Sequence, residues 1–253
     1  LRPKFISDSL VSYNLSNDKT FRLFCFPHAG GGGSYFREWA HYFNKYNVEI
    51  ISVQLPGREN RIKELPVDNL DTVVTMITKE IKEINDKPFA FFGHSMGSIL
   101  SFEVCKELIK VKEKVPVHLF LSSFRAPHLK SIQSKTYNLP EDELIDKLEA
   151  LNGTPQPILN DTNLRKIFLP VIRADFKIAE TYQVEVKSKL PLPITCMLGD
   201  DDTLKVEEIL PWAQYTEADF TYELFTGDHF YLNTNLQAIV NCILYKLKDE
   251  VQR

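Results

Sequence analysis

No stretch of this 253-residue chain approaches the roughly 20 apolar residues that span a bilayer, and the apolar runs are short, as around Val117–Leu121. The opening segment LRPKFISDSLVSYNLSNDKT holds no apolar h-region, so no secretory signal peptide is expected. The chain begins at Leu1 rather than Met, and a trimmed start is expected. An excess of positive charge is also missing. Thirty Lys and Arg face 34 Asp and Glu, for a net charge of −4, and nothing favours nucleic acid or an anionic membrane as partner. Paired cysteines are absent. Cys25, Cys105, Cys196 and Cys242 lie far apart with no C-x-x-C spacing, each in an apolar stretch. They read as buried reduced thiols of a cytoplasmic protein, with no disulfide and no metal site. There is no internal repeat, low-complexity run or Pro/Gly/Ser linker, so residues 1–253 are expected to form a single domain, with monomer as the default state.

What is present is an alternation of short apolar runs with helical patterns. Phe21–Phe26, Val48–Val53, Pro88–Phe92, Val117–Ser122, Ile194–Leu198 and Phe220–Phe225 read as strands. Continuous apolar runs of this kind mark strands buried on both faces. Helices are expected over Ser34–Tyr46, with Ser34 as N-cap, and over Leu70–Ile84, Met96–Lys110 and Leu236–Leu247. The pattern predicts an α/β class with a mostly parallel central sheet and helices on both faces. Between about Lys130 and Lys189 the alternation stops. Short helices are expected there near Glu141–Leu151, Asp161–Leu169 and Ile172–Tyr182, split by Pro140, Pro155, Pro157 and Pro170. An insertion this long between core strands reads as a helical lid.

Two glycine-bearing segments carry chemistry. Gly93-His94-Ser95-Met96-Gly97 matches G-x-S-x-G, with the strand FAFF before it and the helix SILSFEVCKEL after it. That setting belongs to a nucleophile elbow, a strained turn that lifts a serine hydroxyl clear of the sheet, as in the α/β-hydrolase fold. The same turn aims the Met96 N–H, at a helix start, towards the reaction centre. After the first strand, Pro27-His28-Ala29-Gly30-Gly31-Gly32-Gly33-Ser34 is placed to supply a second oxyanion donor, the Ala29 N–H. It lacks the G-K-[ST] ending of a phosphate loop. A base should follow late in the chain, after an acid. Of six histidines only His229 follows the last strand and precedes the last helix. The acid lies in Gly199-Asp200-Asp201-Asp202. Asp202 is the first choice and Asp201 the second.

Taken together, CFPHAGGGGSYFREW, QLPGRENR, FAFFGHSMGS, HLFLSS, LNGTP, LPVIRADF, LGDDD and GDHFYL make the chain, from about Phe21 to Lys248, resemble the type II thioesterases. These are the stand-alone editing enzymes of polyketide and non-ribosomal peptide synthesis, grouped with the medium-chain thioesterase of animal fatty-acid synthase. The resemblance implies hydrolysis of acyl thioesters from the phosphopantetheine arm of acyl or peptidyl carrier proteins. It implies no further cofactor, since the substrate carries the phosphopantetheine. It also implies Ser95, an Asp of the GDDD turn and His229 as the catalytic set. The alternatives are medium-chain fatty-acyl release, or an esterase or acyltransferase acting on free small molecules. Arg58 and Glu59 of the PGRE segment read as a structural loop with a salt bridge or as substrate contacts, and Arg173 and Asp175 as lid architecture. Lys130 and Lys135, near the lid mouth, are candidate contacts for an acidic carrier. Leu139, Leu144, Leu148, Leu151, Ile158, Ile167, Phe168 and Phe176 line an acyl channel or, for most of them, form the lid's own core.

Overall fold

A short antiparallel hairpin, not expected from the sequence, starts the chain: β1 (Lys4–Phe5) pairs with β2 (Leu10–Ser12), which pairs antiparallel with the second apolar run, Val48–Val53. In this computed structural model the described residues are 2–130, 135–151, 153–186 and 189–251. Parts of the expected lid (131–134, 152 and 187–188) lie outside them, as do residues 1, 252 and 253 of the expected single domain.

The remaining strands fall where the apolar runs place them, within one to two residues at their ends. They are β3 (Phe21–Phe26), β4 (Val48–Val53), β5 (Phe89–His94), β6 (Leu119–Ser122), β7 (Ile194–Gly199) and β8 (Phe220–Phe225). Strand order is β1-β2-β4-β3-β5-β6-β7-β8, and every pairing among β3 to β8 is parallel. β5 carries Ser95 at its end and sits in the middle, between β3 and β6. β8 departs from the expectation of a strand buried on both faces. It is the sheet edge, and Tyr222 and Leu224 are 43% and 49% exposed.

Alternation along the strands sends side chains into two cores. Phe24, Phe26 and Phe91 face α2 (Leu70–Lys82) and α3 (Met96–Lys110). Leu23, Cys25 and Phe92 face α1 (Arg37–Phe43) and the later C-terminal helix. Burying the sheet on both faces supplies the main driving force, at about 25 cal/mol per Å² of apolar surface removed from water. α2 starts where Asn69 Oδ1 accepts the Thr72 N–H at 2.9 Å, and it ends at Lys82, two residues short of the apolar pattern.

The expected helix over Ser34–Tyr46 is instead a 3₁₀ turn, Gly33–Phe36, followed by α1. Ser34 does not cap it, because its hydroxyl and N–H both donate to Glu59 Oε1, at 2.6 and 3.1 Å.

Between β6 and β7, where a lid is expected, stand α4 (Glu141–Leu151), α5 (Gln156–Asn160) and α6 (Thr162–Thr181). The two helices expected on either side of Pro170 are one. The proline removes a single N–H, and the buried stripe of Leu169, Val171, Ile172, Ala174 and Ile178 carries the helix through it. Leu144, Ile145, Leu148, Leu159, Leu169 and Ile172 form a small separate core against Leu139, Phe168 and Phe176. Ile167, by contrast, is 44% exposed. After the lid come α7 (Val206–Ile209), α8 (Leu236–Lys246), which packs on α1, and α9 (Lys248–Val251). This parallel sheet with helices on both faces is the α/β-hydrolase fold.

Candidate active site

Ser95 occupies the turn between β5 and α3 with φ 54° and ψ −119°, outside the regions an L-residue prefers. The flanking glycines make the turn possible. A Cβ on Gly93 would stand 2.2 Å from the Gly97 carbonyl oxygen, and one on Gly97 would stand 2.0 Å from that of Phe26. Any side chain there would push the strand and helix apart. The Ser95 N–H donates to the Ser122 carbonyl at 2.7 Å and ties the elbow to β6. Met96 is the first residue of α3, so its N–H has no partner within the helix.

The three carboxylates after β7 have separate surroundings. Asp200 is exposed, and its Oδ1 accepts the Gly227 N–H at 2.9 Å. Asp201 is exposed, and its backbone N–H donates to the Gly227 carbonyl at 2.9 Å. Only Asp202 turns inward. It is buried, and its Oδ2 lies 2.9 Å from His229 Nδ1. Burial pushes the Asp202 carboxyl up. The His229 hydrogen bond and charge, the Leu204 N–H and the Ser123 hydroxyl outweigh this and hold it below the usual carboxylate range. The β7 and β8 loops that carry the pair are pressed together, since a Cβ on Gly199 would meet the Gly227 and Asp228 carbonyl oxygens at 2.3 and 2.4 Å.

The glycine-rich loop after β3 is held from several directions. The Gly30 N–H donates to Asp175 Oδ2 at 2.7 Å, Gly31 to the His28 carbonyl at 2.9 Å, and Gly33 to Gln54 Oε1 at 2.5 Å. Among the described residues, no acceptor meets the Ala29 N–H.

Ala29, Ser95, Asp202 and His229 line one cavity of about 350 Å³, and Phe124, Leu151, Phe176 and Ala179 form its apolar wall. Arg125, Lys147, Glu180 and Glu208 also face it. A larger cavity of about 520 Å³, beside Phe102 and Tyr215, shares none of these residues.

Two histidines of the glycine-bearing motifs, His28 and His94, surround the site. His94, fully buried, has its ring 5.2 Å from that of His229 and 5.9 Å from that of His28. Its Nδ1 pairs with Ser122 Oγ at 2.8 Å, and Ser122 Oγ with the Tyr231 hydroxyl at 2.7 Å. Burial first, then the charges of His229 and Arg58, lower His28 to about 3. Burial and then the neighbouring imidazoles lower His94 well below the usual histidine range. Both are therefore neutral near pH 7. His118 and His128 serve elsewhere, bonded to Thr195 Oγ1 and the Tyr215 hydroxyl.

Sequence reasoning missed a link between two of its own motifs. Arg58 and Asp175 form a bidentate pair, Nη1–Oδ2 at 2.6 Å and Nη2–Oδ1 at 2.9 Å, with side chains only 3% and 0% exposed. Arg58 therefore joins a buried salt bridge rather than facing the cavity. Arg173 donates to the Tyr137 carbonyl at 2.8 Å, within the lid.

A serine on a strained strand-to-helix turn, sharing a cavity with a carboxylate–imidazole pair from the neighbouring strand ends, is the arrangement of an α/β-hydrolase. The model of the thioesterase domain matches residues 21–247, and the chain belongs to the thioesterase family. It is 37% identical over 239 residues to the gramicidin S biosynthesis protein GrsT of Aneurinibacillus migulanus, covering 94% of this chain and 93% of that one. To the medium-chain S-acyl fatty acid synthase thioesterase of Rattus norvegicus it is 36% identical over 221 residues, 85% of this chain and 82% of the relative. The solved structure of the type II thioesterase BorB, from the borrelidin biosynthetic cluster, superposes with a TM-score of 0.87 at 31% identity, covering 96% of this chain and 100% of BorB.

Proposed function

We propose that this protein hydrolyses acyl thioesters from the phosphopantetheine arm of acyl or peptidyl carrier proteins, clearing misprimed or stalled groups from a synthase. The observation that carries the reading is the pairing of buried Asp202 with half-buried His229, on the same cavity as Ser95. With its proton on Nδ1, His229 donates to Asp202 and keeps the Nε2 lone pair for the serine. Ser95 Oγ attacks the thioester carbonyl as His229 takes its proton. The tetrahedral oxyanion is met by the Ala29 and Met96 N–H groups. Collapse expels the pantetheine thiol, which takes the proton from His229. Water, activated by the same imidazole, then attacks the acyl-serine and releases the acid. Asp202 stabilises the imidazolium formed in both halves.

Two observations support editing over medium-chain fatty-acyl release. Charged and apolar residues share the cavity wall. The relatives at 37% and 31% identity are named for gramicidin S biosynthesis and as the type II thioesterase of the borrelidin biosynthetic cluster. A cytoplasmic setting fits the four free cysteines, and no helix among the described residues is long and apolar enough to cross a membrane.

The test is hydrolysis of acetyl to palmitoyl groups and one aminoacyl group, each loaded on a carrier protein, with Ser95→Ala as control. Editing predicts a flat profile that includes short groups. A sharp medium-chain optimum would replace editing with programmed release. Faster cleavage of an oxoester than of the matching carrier thioester would move the protein to the esterases.

A further inference from the structure

We infer that Arg58 and Asp175 are positioning residues for the oxyanion hole, and that through them the lid helix α6 sets the Ala29 donor. This inference rests on the proposed hydrolase mechanism and adds to it two residues outside the triad.

Asp175 uses its carboxylate in two directions. Oδ2 accepts both the Arg58 Nη1 proton and the N–H of Gly30, the residue after Ala29, while Oδ1 accepts Arg58 Nη2. Arg58 Nη1 also donates to the Gly31 carbonyl at 2.9 Å. The peptide planes on the C-terminal side of Ala29 are thus fixed by one guanidinium–carboxylate unit. The Gly30 N–H finds its acceptor in Asp175 and not within the loop, and Gly30 itself stands at φ +79°. Further along, Gln54 spans the same two segments, donating to the Arg58 carbonyl at 2.9 Å and accepting from Gly33.

A substrate-binding role does not fit. Neither side chain lines the cavity, and both are almost fully buried. Stability alone is a weak reason for a buried ion pair, which apolar residues of similar volume often replace without loss. The planar fork of an arginine instead supplies fixed geometry. An oxyanion donor needs such geometry, because it acts only when it lies about 2.7–3.1 Å from the developing charge. Asp175 also precedes Phe176, and Ala179 follows one turn later, both in the cavity wall. Wall and donor therefore belong to one rigid body. Ile172 of the same helix lies against Gly30, 3.2 Å from where a Cβ would stand.

The experiment compares Arg58→Lys, Asp175→Asn and the charge-free double variant carrying Arg58→Gln with Asp175→Asn. The double variant covers the case in which a single change leaves a buried charge unpaired and the protein fails to fold. Each folded variant, checked by circular dichroism and thermal melting, is assayed with an acyl thioester of N-acetylcysteamine. Each is then titrated with an alkylboronic acid, which forms a tetrahedral adduct on the serine. The expected result is a fall in kcat of about 10- to 100-fold with KM within about threefold, and a boronate inhibition constant that rises in proportion. A folded variant with kcat within about threefold of the parent, or one whose loss lies wholly in KM, overturns the inference. So does a fall in kcat that leaves boronate affinity unchanged. Absence of Ser95-dependent hydrolysis in the unaltered protein would sink the hydrolase reading itself, and this inference with it.

Discussion

The two sides of the cavity are built by different means. On the acid–base side, Asp202 and His229 sit on loops that follow neighbouring parallel strands, β7 and β8, and the sheet itself brings them together. Backbone contacts between those loops leave no room for a side chain at Gly199. On the oxyanion side, the glycine-rich loop is held by side chains reaching in from elsewhere: Gln54 and Glu59 from the segment after β4, and Asp175 from the lid. One side is rigid because of where the strands are. The other is rigid because of particular polar contacts, each of which a single substitution can remove.

The largest effect that sharpens this contrast lies on the acid–base side. Asp202→Asn should lower kcat about 10⁴-fold, the size of the same change in a serine-protease triad, while leaving the fold intact. Asp201→Asn should stay within about twofold, since its carboxylate is exposed and, among the described residues, unpaired. Steady-state kinetics on one thioester settles both. If Asp201→Asn is the damaging change, the acid has been placed one residue too late.

Glycine substitutions come next. Gly199→Ala drives a methyl group into two backbone carbonyls and should cost about 1–3 kcal/mol in denaturant unfolding, with lost activity as the His229 loop shifts. Gly30→Ala meets only the flexible end of Ile172, but at φ +79°, and should cost about 1–2 kcal/mol. A larger loss at Gly30 than at Gly199 would break the contrast.

The pH dependence of stability tests the neutral imidazoles. His28, at about 3, and His118, lowered by burial to about 4, both lie below the 6.5 of a free histidine. As pH falls through 6.5, the unfolded chain takes up protons that the folded chain refuses. Their contribution is therefore complete above 6.5 and declines down to about 3. Asp202, held below its ordinary 3.8, begins to withdraw its own contribution as pH falls past 3.8. Urea midpoints at pH 7, 5.5 and 4.5 should fall in that order, and more gently in His28→Gln. An unchanged slope in that variant would mean that His28 already titrates normally in the folded protein.

The smallest effect is expected in the lid. Asp161 Oδ1 accepts the Asn163 and Leu164 N–H groups at the start of α6. Asp161→Ala should cost about 1 kcal/mol by thermal melting and leave kcat unchanged.

The parallel sheet was legible because strands buried on both faces write themselves as apolar runs. The nucleophile, the base and the acid turn were legible because the fold demands them in a fixed order at strand ends. What escaped was decided across long separations. Ser34 looks like a helix cap until Glu59, 25 residues on, takes its hydroxyl. Pro170 looks like a break until a buried stripe overrides one missing hydrogen bond. β1 has only two residues, both exposed, and offers no periodicity to read. Arg58 and Asp175 each stood out in a motif, yet no local pattern joins residues 117 positions apart.

That separation has a consequence for how the protein is made. A chain emerging from the ribosome completes β5 and the Ser95 turn while Asp175 is still unsynthesised. The glycine-rich loop and the Ser95 turn are therefore synthesised before the residue that braces the loop, and the loop gains its last tether only once the α6 segment has been made.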